Sequence, residues 1–269
     1  MPELPEVEVS RLGIEPFLLN QRVARVHIHH PQLRWPIPAT VTAIENHTIS
    51  AVQRRAKYLL LCSNAGTLVL HLGMSGKLRV LPVGTPLQKH DHFELITAEG
   101  QSLRLNDPRR FGAVLWQAPN EQLSILSKLG PEPLSDSFYA DYLFEKSRGK
   151  AAPVKTFIMD NHVVVGVGNI YANESLFMSG IDPRRAAGKI SKARYQVLTQ
   201  SIRDVLQRAI AQGGTTLKDF SRADGQPGYF AIELNVYGQA GKPCVRCQRP
   251  LKEIRLGQRS TVFCAACQR

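Results

Sequence analysis

Four of the five cysteines in this 269-residue chain fall in its last 26 residues, spaced Cys244-x2-Cys247-x16-Cys264-x2-Cys267. No other feature restricts the fold so tightly. Two close pairs on tight turns offer four thiolates in tetrahedral array, the ligand set of a structural zinc. The segment 236–269 is too short to bury a core of its own, so it is expected as a two-stranded ribbon whose folding energy comes from one zinc ion per chain. A pair of disulfides is the alternative. No basic stretch followed by an apolar run opens the chain, so a cytoplasmic location is expected, and a reducing compartment disfavours disulfides. Cys62 lies in the apolar run Tyr58-Leu59-Leu60-Leu61-Cys62. It is expected as a buried core thiol.

Upstream of the ribbon the hydrophobic period changes once. Residues 2–19 place Pro2 and Pro5 ahead of Val7, Leu12 and Ile14, which suits a helix starting near the N-terminus because proline is tolerated in a first turn. Between residues 22 and 117, short β-branched or apolar runs recur at Val23–Ile28, Thr48–Val52, Tyr58–Cys62, Thr67–His71, His92–Thr97, Ser102–Leu105 and Ala113–Trp116. Runs at that spacing predict a sandwich or barrel. Residues 118–152 read as a connection with some helix, broken by Gly130-Pro131-Glu132-Pro133. Over Ala193–Gln212 the apolar residues Val197, Ile202, Val205, Leu206 and Ile210 recur near every 3.6 positions, which predicts a helix closed by Gly213-Gly214.

Charge is divided unevenly. Residues 1–149 carry 16 basic and 14 acidic side chains, whereas residues 150–269 carry 18 and 8, out of a formal net charge of +12. An excess concentrated in one half points to a polyanion, with nucleic acid the first candidate; solubility alone is the bland alternative. No apolar run approaches the roughly 18 residues of a membrane span.

The opening Met1-Pro2-Glu3-Leu4-Pro5-Glu6 carries the chemistry. Removal of Met1 would expose a secondary amine. Terminal amines titrate near pH 7.7–8.0 in peptides, so a fraction is neutral and nucleophilic at neutral pH. Attack on a sugar C1′ gives an iminium, which acidifies the C2′ protons and links base excision to strand cleavage. Glu3 and Glu6, three residues apart, are expected on one helix face, where carboxylates suit proton transfer near the amine. Acidic residues also favour helix N-termini on electrostatic grounds alone.

Pro2-Glu3-Leu4-Pro5-Glu6-Val7-Glu8 resembles the opening of the formamidopyrimidine-DNA glycosylase family. The resemblance continues through Arg54-Arg55-Ala56-Lys57-Tyr58, His71-Leu72-Gly73-Met74-Ser75-Gly76, Asp107-Pro108-Arg109-Arg110-Phe111-Gly112, Gly166-Val167-Gly168-Asn169-Ile170-Tyr171, Gly213-Gly214-Thr215-Thr216-Leu217 and the cysteine quartet. It implies an α+β multi-domain fold. An N-terminal two-sheet β-sandwich with flanking helices spans residues 1–130, a linker 131–150, a helix–two-turns–helix domain 151–235 and a zinc ribbon 236–269, with DNA lying between the halves.

The same resemblance assigns roles. Pro2 is the nucleophile and Glu3 its proton-transfer partner, with Lys57 and Arg259 binding phosphate beside the lesion. Glu6, His71, His90, Lys150, Lys155, Asn169 and Tyr237 are implied at the DNA. Met74, Arg109 and Phe111 are implied to fill the hole left by the everted nucleotide, Arg109 facing the orphaned cytosine. The loop Thr215–Tyr229 is implied to close over the displaced base. The implied activity is that of a bifunctional glycosylase and abasic-site lyase, acting on oxidised purines such as 8-oxoguanine in double-stranded DNA as a monomer, with no membrane and no obligate protein partner. An endonuclease VIII-type enzyme for oxidised pyrimidines and a non-catalytic zinc-ribbon DNA-binding protein are the alternatives.

Overall fold

A computed structural model describes residues 2–213 and 234–269. Two compact units divide the chain near Ser127, and each is described by itself.

The first unit opens with α1 (Leu4–Leu18), whose Leu4, Val7, Ile14 and Leu18 are buried at helical spacing. Eight strands follow: β1 (Val23–Ile28), β2 (Ala51–Arg55), β3 (Tyr58–Ser63), β4 (Gly66–His71), β5 (Lys77–Pro82), β6 (Asp91–Thr97), β7 (Gln101–Asn106) and β8 (Ala113–Gln117). They form two four-stranded antiparallel sheets, ordered β1-β6-β7-β5 and β2-β3-β4-β8. Leu59, Leu61, Leu68 and Leu70 from one sheet join Phe93, Leu95, Leu103 and Leu105 from the other in a single core. The expected sandwich is therefore present.

Three expectations are corrected. The run expected at Thr48–Val52 begins later, at Ala51, and Thr48 makes only an isolated bridge to Arg22. Lys77–Pro82 was not expected as a strand. Its Arg79 is buried because it pairs with Asp91 on β6, so a charge that reads as a surface position lies inside. Cys62 is half-buried, since alternation along β3 turns Leu59 and Leu61 to the core and Cys62 to the other face.

The second unit follows the short α2 (Ser124–Ser127). It contains α3 (Ala140–Ser147), α4 (Val154–Ile158), α5 (Asn169–Met178) and α6 (Lys192–Ala211), then the hairpin β9 (Lys252–Leu256) and β10 (Arg259–Phe263). Helix α3 sits inside the stretch expected to connect the halves, and the Phe144 and Tyr195 rings pack edge to face at 6.2 Å between α3 and α6. Val197 on α6 faces solvent instead of the core. Residues Ile170–Phe177 of α5 are all buried, and Phe177 joins Val236, Leu251 and Val262 in the small core under the ribbon.

Candidate active site and nucleic-acid interface

Glu3 does not share a helix face with Glu6. It is the extended N-cap residue of α1, and Glu6 occupies the third helical position. The Glu6 Oε2 accepts the Glu3 backbone N–H at 2.8 Å, satisfying a donor that the helix cannot pair internally. Glu6 has no exposed surface, so it fixes the backbone of Glu3 and is not presented to DNA as expected. Glu3 itself is buried, as is Pro2. One turn on, Glu8 accepts from Arg11 at 2.8 Å and from Arg54 Nε at 2.7 Å. Arg54 also donates to the carbonyl of Ala56 at 2.9 Å. Ala56, with φ of +53°, makes the tight β2–β3 turn with Lys57. The Glu8–Arg54 pair thus ties the turn bearing Lys57 to the helix that begins just after Pro2 and Glu3.

Lys57 also bears on His71, at the end of β4. The His71 Nδ1 accepts the Gly73 N–H at 3.0 Å, and its ring packs 4.8 Å from that of Tyr58. Burial, then the charges of Lys57 and Arg34, push the imidazole pKa down to about 4. His71 is consequently neutral at physiological pH, with its proton on Nε2, a hydrogen-bond donor.

The β4–β5 and β7–β8 connections carry the expected wedge residues. Asp107, fully buried, holds both: its Oδ1 accepts from Ser75 Oγ at 2.6 Å and its Oδ2 from the Gly112 N–H at 2.7 Å. Ser75 Oγ in turn accepts the Arg109 N–H at 3.2 Å. Gly73 has φ of +61°, and a Cβ there would stand 2.4 Å from the Phe111 carbonyl carbon, so only glycine lets the two loops meet. On this frame Phe111 is 44% exposed, with the Arg109 guanidinium 5.0 Å from its ring centroid, and Met74 is half-buried. Together with His71 and Arg34 they line a cavity of about 660 Å³. His90 is half-buried with φ of +75°, and its carbonyl accepts the Asp107 N–H at 3.0 Å.

In the second unit, Asn169 occupies the first position of α5 after Gly168, and its buried Oδ1 has no hydrogen-bond partner among the described residues. Arg259 is exposed at the start of β10, opposite Leu256 across the Gly257-Gln258 turn. Lys150 is exposed after the short α3. Lys155, expected as a direct DNA contact, is wholly buried. Its ammonium donates to the Ser260 carbonyl and to Thr261 Oγ1, both at 2.7 Å, and so holds the hairpin that presents Arg259. Half-buried Tyr237 donates its backbone N–H to Glu174 Oε1 at 2.9 Å. Glu174 also accepts from the Val236 N–H and from both nitrogens of Asn235. Sequence reasoning missed Glu174, because a carboxylate in the apolar run Asn169–Met178 gives no sign that its donors lie some sixty residues on. The Thr215–Tyr229 loop lies outside the described residues.

The four cysteine Sγ atoms lie within 4.8 Å of one another, with Cys247–Cys264 at 3.5 Å and Cys244–Cys267 at 4.0 Å. Thiolates about 2.3 Å from a tetrahedral zinc stand roughly 3.8 Å apart, whereas a disulfide brings sulfurs to about 2.05 Å. The donor set fits one zinc ion and not two disulfides.

Comparison with known proteins finds three family profiles in order. The formamidopyrimidine-DNA glycosylase N-terminal domain matches residues 1–114, the formamidopyrimidine-DNA glycosylase H2TH domain 129–221, and the zinc finger found in FPG and IleRS 241–269. A formamidopyrimidine-DNA glycosylase of Idiomarina loihiensis is 60% identical over 270 residues, covering 100% of both chains. Among solved structures, MutM (Fpg) from Thermus thermophilus is 36% identical with a TM-score of 0.89, covering 99% of this chain and 98% of that one. Lactococcus lactis Fpg in complex with DNA containing Fapy-dG is 30% identical with a TM-score of 0.88, covering 99% of each.

Proposed function

The chain belongs to the formamidopyrimidine-DNA glycosylase family, and from that premise we propose that the Pro2 amine carries out both of its reactions. The protein is a DNA glycosylase and abasic-site lyase with one structural zinc held by Cys244, Cys247, Cys264 and Cys267. The formamidopyrimidine name of its relatives favours oxidised purines over the oxidised pyrimidines of the alternative reading.

With Met1 removed, the Pro2 nitrogen bonds to C1′ as the bond between C1′ and the damaged base breaks. The amine gives up a proton and the base leaves with one. Glu3 protonates the sugar oxygen as the ring opens, which leaves an iminium on Pro2. Loss of the acidified C2′ proton expels the phosphate on C3′, loss of a second sugar proton from C4′ expels the phosphate on C5′, and water hydrolyses the iminium to free Pro2, leaving a one-nucleotide gap. The observation that carries this reading is the buried Pro2-Glu3 pair, locked by the hydrogen bond from the Glu3 amide to Glu6.

Phosphate contacts come from both units. Lys57 and neutral His71 supply them in the first, with His90 beside the wedge loops. Arg259, Asn169, Lys150 and Tyr237 supply them in the second, where the Asn169 amide stands at a helix N-terminus suited to an anion. Lys155 acts through Arg259. Met74 and Phe111 enter the stack and Arg109 faces the orphaned cytosine. The partner is double-stranded DNA bearing oxidised purines or abasic sites, and the protein works as a monomer in the cytoplasm. Borohydride trapping on an 8-oxoguanine·cytosine duplex tests the chemistry. Processed protein should form a covalent adduct, while Pro2→Gly and a form verified to retain Met1 should bind DNA but give little or none. Full trapping with Met1 retained would refute the assignment.

A further inference from the structure

The cavity beside the wedge residues has a wall that the reading above does not use. Residues 31–37 form a closed loop: the Ile37 N–H donates to the Pro31 carbonyl at 2.8 Å, and Gln32 bridges to Pro36. Buried Leu33 and Ile37 anchor it in the sandwich core. Its Arg34 N–H donates to the Gly112 carbonyl at 3.1 Å, fixing the loop to the residue that follows Phe111. The Arg34 side chain is exposed, its guanidinium lies 4.6 Å from the Trp35 ring centroid, and it makes no ion pair among the described residues. Arg34, Arg109 and Arg110 all line the cavity, and no carboxylate among the described residues does.

We propose that Arg34 is a further DNA-binding residue, its guanidinium holding a phosphodiester of the duplex that the wedge residues enter. The proposal rests on the DNA-binding reading of this site. Three like charges around one cavity repel one another, and an entering anion reverses the sign of that interaction. Held over the Trp35 ring, the guanidinium of this exposed side chain still offers N–H donors, and a guanidinium grips phosphate oxygens in pairs. Because the loop is tied on both sides, little order remains to be imposed when DNA arrives. The chain signals this position weakly, since a single arginine in a Pro-rich loop reads as a solvated charge.

The test is the salt dependence of binding by full-length protein. The probe is a fluorescent duplex with a tetrahydrofuran abasic analogue opposite cytosine, read by anisotropy between about 50 and about 200 mM salt, a range over which phosphate contacts dominate the change in affinity. Arg34→Gln should weaken binding and flatten the plot of log affinity against log salt by about 0.9, the contribution of one phosphate. Arg34→Lys should keep the wild-type slope, because a lysine still neutralises a phosphate. If Arg34 only braces the loop through its stacking, both variants weaken binding at the wild-type slope, and the proposal falls. Wild-type protein that failed to bind the duplex would overturn both the proposal and the reading on which it rests.

Discussion

Replacing Lys155 by methionine separates a buried brace from a direct DNA contact. The ammonium donates to the Ser260 carbonyl and to Thr261 Oγ1, both at 2.7 Å, and the Thr261 hydroxyl in turn donates a hydrogen bond to the Arg259 carbonyl at 3.3 Å. Hydrogen bonds from a charged donor contribute about 1.5–3 kcal/mol each. Methionine fills similar volume and relieves the desolvation of a buried ammonium, which offsets part of that loss. It cannot pair the two acceptors left facing its thioether, at about 1–3 kcal/mol each. The hairpin should therefore loosen by about 2–4 kcal/mol once the relieved desolvation is set against those unpaired acceptors. Lys155→Met should still purify with one zinc, because the four thiolates remain, but should lose it to a chelator at least about tenfold faster, as a loosening above 1.4 kcal/mol predicts. Its DNA affinity should fall, and the decisive measurement is a double-mutant cycle with Arg259→Ala. If Lys155 acts through Arg259, the two losses overlap and the coupling is about 1 kcal/mol or more. Additive losses, or unchanged binding in Lys155→Met, would refute the brace.

Three further outcomes follow from the geometry. Asp107→Ala strands the buried donors of Ser75 and Gly112 at about 1–3 kcal/mol each, so thermal melting should drop by several degrees and DNA binding should weaken, because both wedge loops lose their tie. The His71 ring should titrate near pH 4 by NMR; since its folded pKa lies below the unfolded value of about 6.5, the unfolded chain binds the extra proton between those limits, and stability should rise with pH across that window, by up to about 3 kcal/mol, a dependence that His71→Gln should lose. Serine at Cys244, Cys247, Cys264 or Cys267 should abolish zinc binding by elemental analysis, whereas Cys62→Ser should retain one zinc.

What the sequence disclosed and what it hid have separate physical causes. Strands β3 and β4 were legible because their apolar residues meet one core, and α6 because its buried face repeats at 3.6 residues. The metal ribbon was legible because tetrahedral thiolate geometry dictates the cysteine spacing. Strand β5 was hidden because Arg79 is neutralised by Asp91 from another strand, a pairing that no local pattern records. Glu174 was missed and Lys155 misjudged for the same reason: each finds its partners far along the chain, at or within the ribbon, 61 to 63 and 105 to 106 residues on. Glu6 was misjudged through local geometry, since a one-residue difference in where the helix begins turns a neighbour on one face into a capping partner.

These buried carboxylates also explain how the net charge reaches the surface. Asp107 accepts a backbone N–H from Gly112, and Glu174 from Asn235, Val236 and Tyr237. A buried carboxylate is tolerated when such donors surround it, and it then needs no cation beside it. Each one satisfied by peptide groups is a counter-charge withheld from the surface arginines. Around the wedge cavity the result is local: Asp107 is turned inward onto Ser75 and Gly112, while Arg109 and Arg110, two and three residues later, face outward. The fold thus separates the charges of one six-residue motif, using the anion to fix the backbone and leaving the cations to a polyanionic partner. Swapping an outward arginine for a neutral side chain should accordingly cost affinity without cost to stability, whereas the inward aspartate should show the reverse order of effects, stability failing first.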